Sequence, residues 1–206
     1  MGNVQGYSYA IQETLPGVPM GEVTLPVLPQ LLQLNGLQTG LATSKQREWP
    51  GPVVDTVLEG GDGYCLLDSL RTYSSTTAEL LHVLQAIVLA HRNEQFETND
   101  VVHFDFNPSN ILIENGQISG VIDWEGTCTG DGTFDLATLL FYAYDALDVR
   151  EHLLHAIWKR VSPAILSVYM AHLILRQVDW SIRYHNPATV DYYLRVAGDV
   201  LRDVGL

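Results

Sequence analysis

His103-Phe104-Asp105-Phe106-Asn107-Pro108-Ser109-Asn110 runs directly into Ile111-Leu-Ile-Glu-Asn115-Gly116-Gln-Ile-Ser-Gly-Val121-Ile122-Asp123-Trp124. The first part has the form H-x-D-x-x-x-x-N. The second reads as a two-stranded hairpin, with apolar residues flanking an Asn-Gly pair that suits a tight turn. Such a hairpin returns the chain to its starting point, so Asn110 and Asp123 are expected side by side, with Asp105 at the head of the preceding loop. Phosphoryl transfer needs these residue types together: a carboxylate to orient or accept the proton of an attacking hydroxyl, and oxygen ligands for Mg²⁺. The plainer alternative is that all three only cap turns.

Outward from this stretch, Ser74, Ser75 and Thr76 offer N-caps for a helix, with Glu79 completing a capping-box pattern. Leu80, Leu84, Ile87 and His91 repeat at helical spacing, and Leu81 and Val88 widen the stripe. A helical pattern also covers about Leu25 to Leu41. Residues 49–63, rich in Pro, Gly and Asp, read as a loop, and Gly60-Gly-Asp-Gly63 as a turn rather than a phosphate-binding loop. Residues 7–13 read as a short strand, followed by the turn-forming Leu15-Pro-Gly-Val-Pro19. From Phe134 onward the chain is helix-patterned, broken at Pro163 and Pro187.

The chain carries 24 acidic against 11 basic residues, a formal net charge of -13. Nucleic acid is therefore not an expected partner, since phosphate tracking needs a basic face. A cationic small molecule suits the field, although acidity also serves solubility alone. The two cysteines, Cys65 and Cys128, make neither a disulfide framework nor a zinc set. No signal peptide and no membrane span is read, so a soluble cytoplasmic protein is expected.

Together these motifs resemble the aminoglycoside phosphotransferase and choline kinase superfamily, which shares the protein-kinase fold. Phe104 stands where protein kinases usually have Arg, and Ile122-Asp123-Trp124 where they carry D-F-G. Gly130-Asp131-Gly-Thr-Phe-Asp135-Leu-Ala137 matches the family's G-D-x-x-x-D-L-A run. The resemblance implies an α+β, protein-kinase-like fold: a mostly helical C-terminal lobe (21–206) with a small β-hairpin beside the catalytic loop. Residues 1–20 would be the last strand and hinge of an N-terminal lobe.

It also implies roles. Asp105 would be the catalytic base or hydroxyl-orienting residue, and Asn110 and Asp123 would bind Mg²⁺. The hinge backbone at Glu13, Thr14 and Leu15 would meet the adenine of ATP. His103 and Asp135 would support the loop. Apart from the resemblance, Glu125 and Asp131 read either as a patch for a cationic acceptor or as plain solvated acids. Trp49, Trp124, Trp158 and Trp180 read as packing residues; Asp179 and Asp191 could line an acceptor pocket, but a solvated face is the favoured reading.

The expected activity is ATP-dependent transfer of the γ-phosphate to a hydroxyl of a small, amine-bearing molecule. The alternative is a truncated or degenerate, catalytically silent binding module. The Gly-rich strands and strand lysine of such kinases would precede the hinge, yet residues 1–44 hold neither Lys nor Arg, and Lys45 and Lys159 both come after it. A missing N-terminus, a degenerate relative and a partner that supplies these groups all account for this. The first is favoured, because the hinge strand would otherwise have no strand to pair with.

Overall fold

The computed structural model describes residues 2–4, 6–9, 14–42 and 49–204. Its elements run β1 (Gly2–Val4), β2 (Tyr7–Tyr9), β3 (Val18–Pro19), α1 (Leu28–Leu37), α2 (Gly51–Glu59), α3 (Leu67–Tyr73), α4 (Ser75–His91) and β4 (Asp100–Val102). They continue with β5 (Ile111–Glu114), β6 (Gln117–Val121), β7 (Cys128–Gly130), α5 (Thr133–Tyr142), α6 (Leu147–Ile157), α7 (Pro163–Tyr184) and α8 (Pro187–Asp203).

Helix α7 organises the lobe. It is apolar on nearly every side, as a helix surrounded by others must be, and α2, α3, α4, α5 and α8 all pack on it. Pro163 and Pro187 mark helix starts: each occupies a first turn, where its missing N–H is not needed. Ser162 and Asn186 cap those turns through side-chain oxygens that accept from Ile165 and Thr189 N–H.

Ser74 caps α4, but the reciprocal partner is Thr77, not Glu79: the Thr77 hydroxyl accepts from Ser74 N–H at 3.0 Å. Leu81, Leu84, Ile87 and Val88 form the buried stripe of α4. The expected loop over 49–63 is instead largely helix. Pro52 sits in the first turn of α2, and Val53, Val54 and Val57 are buried on the core side. Proline and glycine punctuation outweighed, in the reading, an apolar face that tertiary packing rewards.

The small sheets place the chemistry. β5 and β6 pair antiparallel across an Asn115-Gly116 turn in which both residues have positive φ, the twist a two-residue hairpin requires. β3 adds to the outer side of β5, and Met20 N–H donates to Ile111 O at 2.7 Å. β4 pairs with β7, which joins the approach to Asp105 with the Gly130-Asp131 segment. The expected strand over 7–13 is seen at Tyr7–Tyr9; residues 10–13 lie outside the described set. That strand does have a neighbour, β1, with Gly2 opposite Tyr9.

Beneath the loop that runs from His103 to Asn110 lies an aromatic cluster. Trp49, buried, makes edge contacts with Phe104, Phe134 and Tyr169 at centroid distances of 6.4, 5.6 and 5.9 Å, and Phe104 stacks on Phe134 at 5.0 Å. Among the tryptophans only Trp49 is a core residue. Trp124, Trp158 and Trp180 are exposed by 42%, 56% and 47% and lie outside the core, though Trp124 packs on the His103 ring at 4.6 Å and Trp180 on Tyr184 at 4.1 Å.

Candidate active site

β4 delivers the chain to His103, and Asp135, in the first turn of α5, fastens the start of the loop. Its fully buried carboxylate accepts His103 N–H at 2.9 Å, Phe104 N–H at 3.0 Å and the Gln38 amide at 3.3 Å. Burial pushes Asp135 up to about 7, against the pull of these donors. Phe104 adopts φ 73°, a left-handed conformation that costs an L-residue roughly 1–2 kcal/mol. The Asp135 clasp on its N–H, its ring contacts and an Arg176 bond to its carbonyl hold it there.

The kink turns Asp105 into a cleft of about 510 Å³ that Asn110 and Asp123 also line. Asn110 gives its amide hydrogens to the Asp105 carbonyl at 2.9 Å and to Asp105 Oδ2 at 3.1 Å. Asn107 donates to Asp105 Oδ1 at 3.0 Å while its own oxygen caps the turn Pro108–Asn110. Ile122 N–H donates to Asn110 O at 2.9 Å, tying the end of the hairpin to the end of the loop.

The buried His103 ring closes the assembly. Nδ1 accepts from Asp105 N–H at 3.3 Å, which leaves Nε2–H to donate to Ile122 O at 2.9 Å. Burial lowers its pKa, so the ring stays neutral and keeps this tautomer. Asp123 is exposed in a left-handed conformation at the mouth of the turn Trp124–Gly126.

Two other candidates lie elsewhere. Asp131 does not line this cleft; its buried carboxylate accepts from Tyr169 Oη at 2.7 Å and Thr133 N–H at 2.8 Å, and burial raises its pKa despite these bonds. Glu125 is exposed on the Trp124–Gly126 turn and is also outside the cleft lining. Thr14 and Leu15 are exposed, with Leu15 lying over Gly120 of the hairpin. Glu13 is outside the described residues.

Helix α7 supplies what the sequence reading missed. Arg176 pairs with Asp105 Oδ1 at 2.9 Å. Asp179 is not on a solvated face: its side chain is 1% exposed, clasped by Arg183 at 3.0 and 2.7 Å, and accepts from Ser69 at 2.6 Å. Asp191 is exposed, as read. The available signal was an arginine and an aspartate inside residues 165–180 of an otherwise apolar helix, where a charge needs a partner. Cys65 also lines the cleft, but burial pushes its thiol up to about 12, so it is no nucleophile near neutral pH.

The oxygen set suits a hard cation. Both Asn110 amide hydrogens are committed to Asp105, which leaves its Oδ1 as the group it can offer to a ligand, and the exposed Asp123 carboxylate lines the same cleft. Among the described residues no three His, Cys, Asp or Glu side chains gather at metal-binding range. A cation held here would draw its other ligands from phosphate and water, the habit of Mg²⁺.

A helical lobe with a clamped H-x-D loop, a hairpin and an Asp at its exit is the architecture of a protein-kinase-like fold. Residues 2–165 match the model of the phosphotransferase enzyme family, and the chain belongs to that family. It is 39% identical over 46 residues to the hygromycin-B 4-O-kinase of Escherichia coli, covering 22% of this chain and 14% of that protein. It is 32% identical over 90 residues to the homoserine kinase of Gluconobacter oxydans (strain 621H), covering 44% of this chain and 26% of that one. The aligned regions thus span well under half of either relative.

Among solved structures, an aminoglycoside phosphotransferase, APH(4)-Ia, in a ternary complex with ADP and hygromycin B superposes with a TM-score of 0.62 at 20% identity, over 93% of this chain and 70% of that one. The choline kinase LicA of Streptococcus pneumoniae gives 0.62 at 14% identity, over 93% and 68%. Both likenesses establish the α+β kinase-like fold. No helix among the described residues is long and apolar enough to cross a membrane.

Proposed function

We propose that this chain forms the catalytic lobe of an ATP- and Mg²⁺-dependent kinase that phosphorylates a hydroxyl of a small molecule. The observation that carries this reading is that Asp105, Asn110 and Asp123 line one cleft. Asp105 orients the acceptor hydroxyl and takes its proton. As the new oxygen–phosphorus bond forms, the bond to the bridging oxygen breaks and ADP leaves. Asn110 Oδ1 and Asp123 would hold Mg²⁺, which supplies charge neutralisation for the phosphates. Thr14 and Leu15 are exposed, with the Leu15 side chain over Gly120 of the hairpin, and their backbone would meet the adenine edge.

The acceptor is small and hydroxyl-bearing, and an amine on it fits a chain of net charge -13. Hygromycin B in the similar ternary complex and the choline kinase likeness support that class. Since neither Glu125 nor Asp131 lines the cleft, recognition of the acceptor falls to other lining residues, among them Tyr64, Tyr142 and, on α7, Asp179 and the exposed Trp180.

The test is steady-state phosphotransfer from Mg·ATP to a panel of aminoglycosides, choline, ethanolamine, homoserine and neutral alcohols. Asp105→Asn should lower turnover by roughly 10²–10⁴-fold, the usual worth of a positioned acid–base group, with acceptor binding little changed. Near-wild-type turnover of Asp105→Asn would overturn the mechanism. An acceptor that binds with no turnover by wild type would instead point to the silent binding module.

A further inference from the structure

Resting on that reading, we infer that Arg176 is a positioning residue for the transfer step: it fixes the plane of the Asp105 carboxylate and so selects which oxygen meets the acceptor. One guanidinium makes both attachments. Nη1 donates to the Phe104 carbonyl at 2.9 Å and Nη2 to Asp105 Oδ1 at 2.9 Å. A planar fork can hold a backbone carbonyl and the next residue's carboxylate together; an ammonium cannot reach both in fixed geometry.

Oδ1 is thereby engaged twice, by Arg176 and by Asn107. Oδ2 receives only the Asn110 amide among the described residues and keeps a lone pair for the hydroxyl. The Phe104 attachment matters equally. It grips the carbonyl of the residue with positive φ, on the side opposite the Asp135 clasp on its N–H, so the kink that aims Asp105 is held from both ends.

The surroundings keep the arginine charged. Burial works against its charge, but the Asp105 carboxylate paired with it more than offsets this and holds its pKa above the ordinary value. Arg176 projects from α7, the helix that also brings Gln177, Trp180 and Arg183 to the cleft. The helix that sees the acceptor therefore also aims the residue that activates it.

The experiment is a double-mutant cycle on the protein: Arg176→Met, Arg176→Lys, Asp105→Asn and the pair Asp105→Asn/Arg176→Met. Arg176→Met should lower kcat by roughly tenfold to a hundredfold, the scale of misplacing a reacting group by about an ångström, with both KM values nearly unchanged. Arg176→Lys should recover part of the loss, and millimolar guanidinium should restore some turnover to Arg176→Ala. In the Asp105→Asn background Arg176→Met should cost almost nothing more, because groups acting as a unit are not additive.

Equal losses in both backgrounds, or a loss confined to KM, would overturn the inference. A harmless Asp105→Asn would instead sink the proposed mechanism. In that case, or where turnover is too low to measure, the side-chain amide resonances of Asn107 and Asn110 decide. They should move in Arg176→Lys while amides of α8 do not, and if they stay unmoved the clamp is refuted. Arg176→Lys keeps size and charge, so it serves where Arg176→Met fails to fold.

Discussion

Gly130→Ala should destabilise this lobe by about 2 kcal/mol, although alanine is the better strand residue. Gly130 ends β7, and its φ is not in the left-handed region, so backbone strain is not at issue. A Cβ built there would press into Trp49 Cδ2 and Cε3 and lie 2.9 Å from Cγ, against an optimum of about 3.5–4.0 Å. The ring must retreat by about an ångström, and it has nowhere free to go: it is buried with edge contacts to Phe104, Phe134 and Tyr169. Overpacking of this kind costs roughly 1–3 kcal/mol, and loosening one of the three aromatic pairs adds about 0.5–1.5 kcal/mol. Stiffening the unfolded chain returns about 0.4–1 kcal/mol. At a domain of this size about 2 kcal/mol lowers Tm by roughly 4–8 °C. Differential scanning calorimetry would read it, with Trp49→Phe/Gly130→Ala as the relief variant that recovers part of the loss. A Gly130→Ala protein melting within about a degree of wild type would refute the packing argument for this glycine.

Asp123→Ala should weaken the use of Mg·ATP, raising its KM more than it lowers saturated turnover, because it removes the proposed metal ligand and leaves the Asp105 clasp intact; titration of Mn²⁺ by electron paramagnetic resonance gives a readout independent of turnover, and unchanged Mn²⁺ binding would oppose the assignment. His172 is fully buried with Nδ1 at 3.3 Å from Val53 O, and burial, aided by the nearby Arg176 charge, depresses its pKa to about 3. Its neutral form is favoured in the fold, so the stability it contributes is whole above pH 6.5 and is lost as pH falls from there toward 3. From about pH 6.5 down to about pH 5 that loss approaches roughly 2 kcal/mol, and urea unfolding of His172→Phe should show a correspondingly flatter acid limb than wild type.

The loop and the hairpin were legible because their information is local. The turn at Asn115-Gly116 needs only its own two positive φ angles, and H-x-D-x-x-x-x-N places its groups within one loop. The misreadings share a different cause. Residues 51–59 are rich in turn formers, yet become helix because Val53, Val54 and Val57 are buried where α2 packs on α7, an element distant in sequence. Asp131 carries the family's acidic motif, but its carboxylate is consumed by Tyr169, a partner no spacing rule could supply. Conversely, Asp179 reads as a surface charge sooner than as the pocket residue it also could be, and Arg176 draws no reading at all. Both prove to be paired, Arg176 with a side chain 17% exposed and Asp179 with one 1% exposed.

A charge inside an apolar helix is costly unless something meets it, and within residues 165–180 Arg176 and Asp179 are both met at the cleft. The two kinds of group in this site are therefore written into the sequence differently. The chemistry-bearing groups are encoded locally, by type and spacing. Arg176, which we infer aims one of them, and Asp179 are marked instead by the energetic anomaly they create: an arginine and an aspartate where the helix has no solvent to offer. Arg176 is conspicuous on that criterion alone, because Leu173, Ile174, Leu175 and Val178 around it all demand burial. The anomaly says that an arginine there must have a partner, but not that the partner is Asp105, since that pairing depends on the kink at Phe104 and on how α7 lies against the loop.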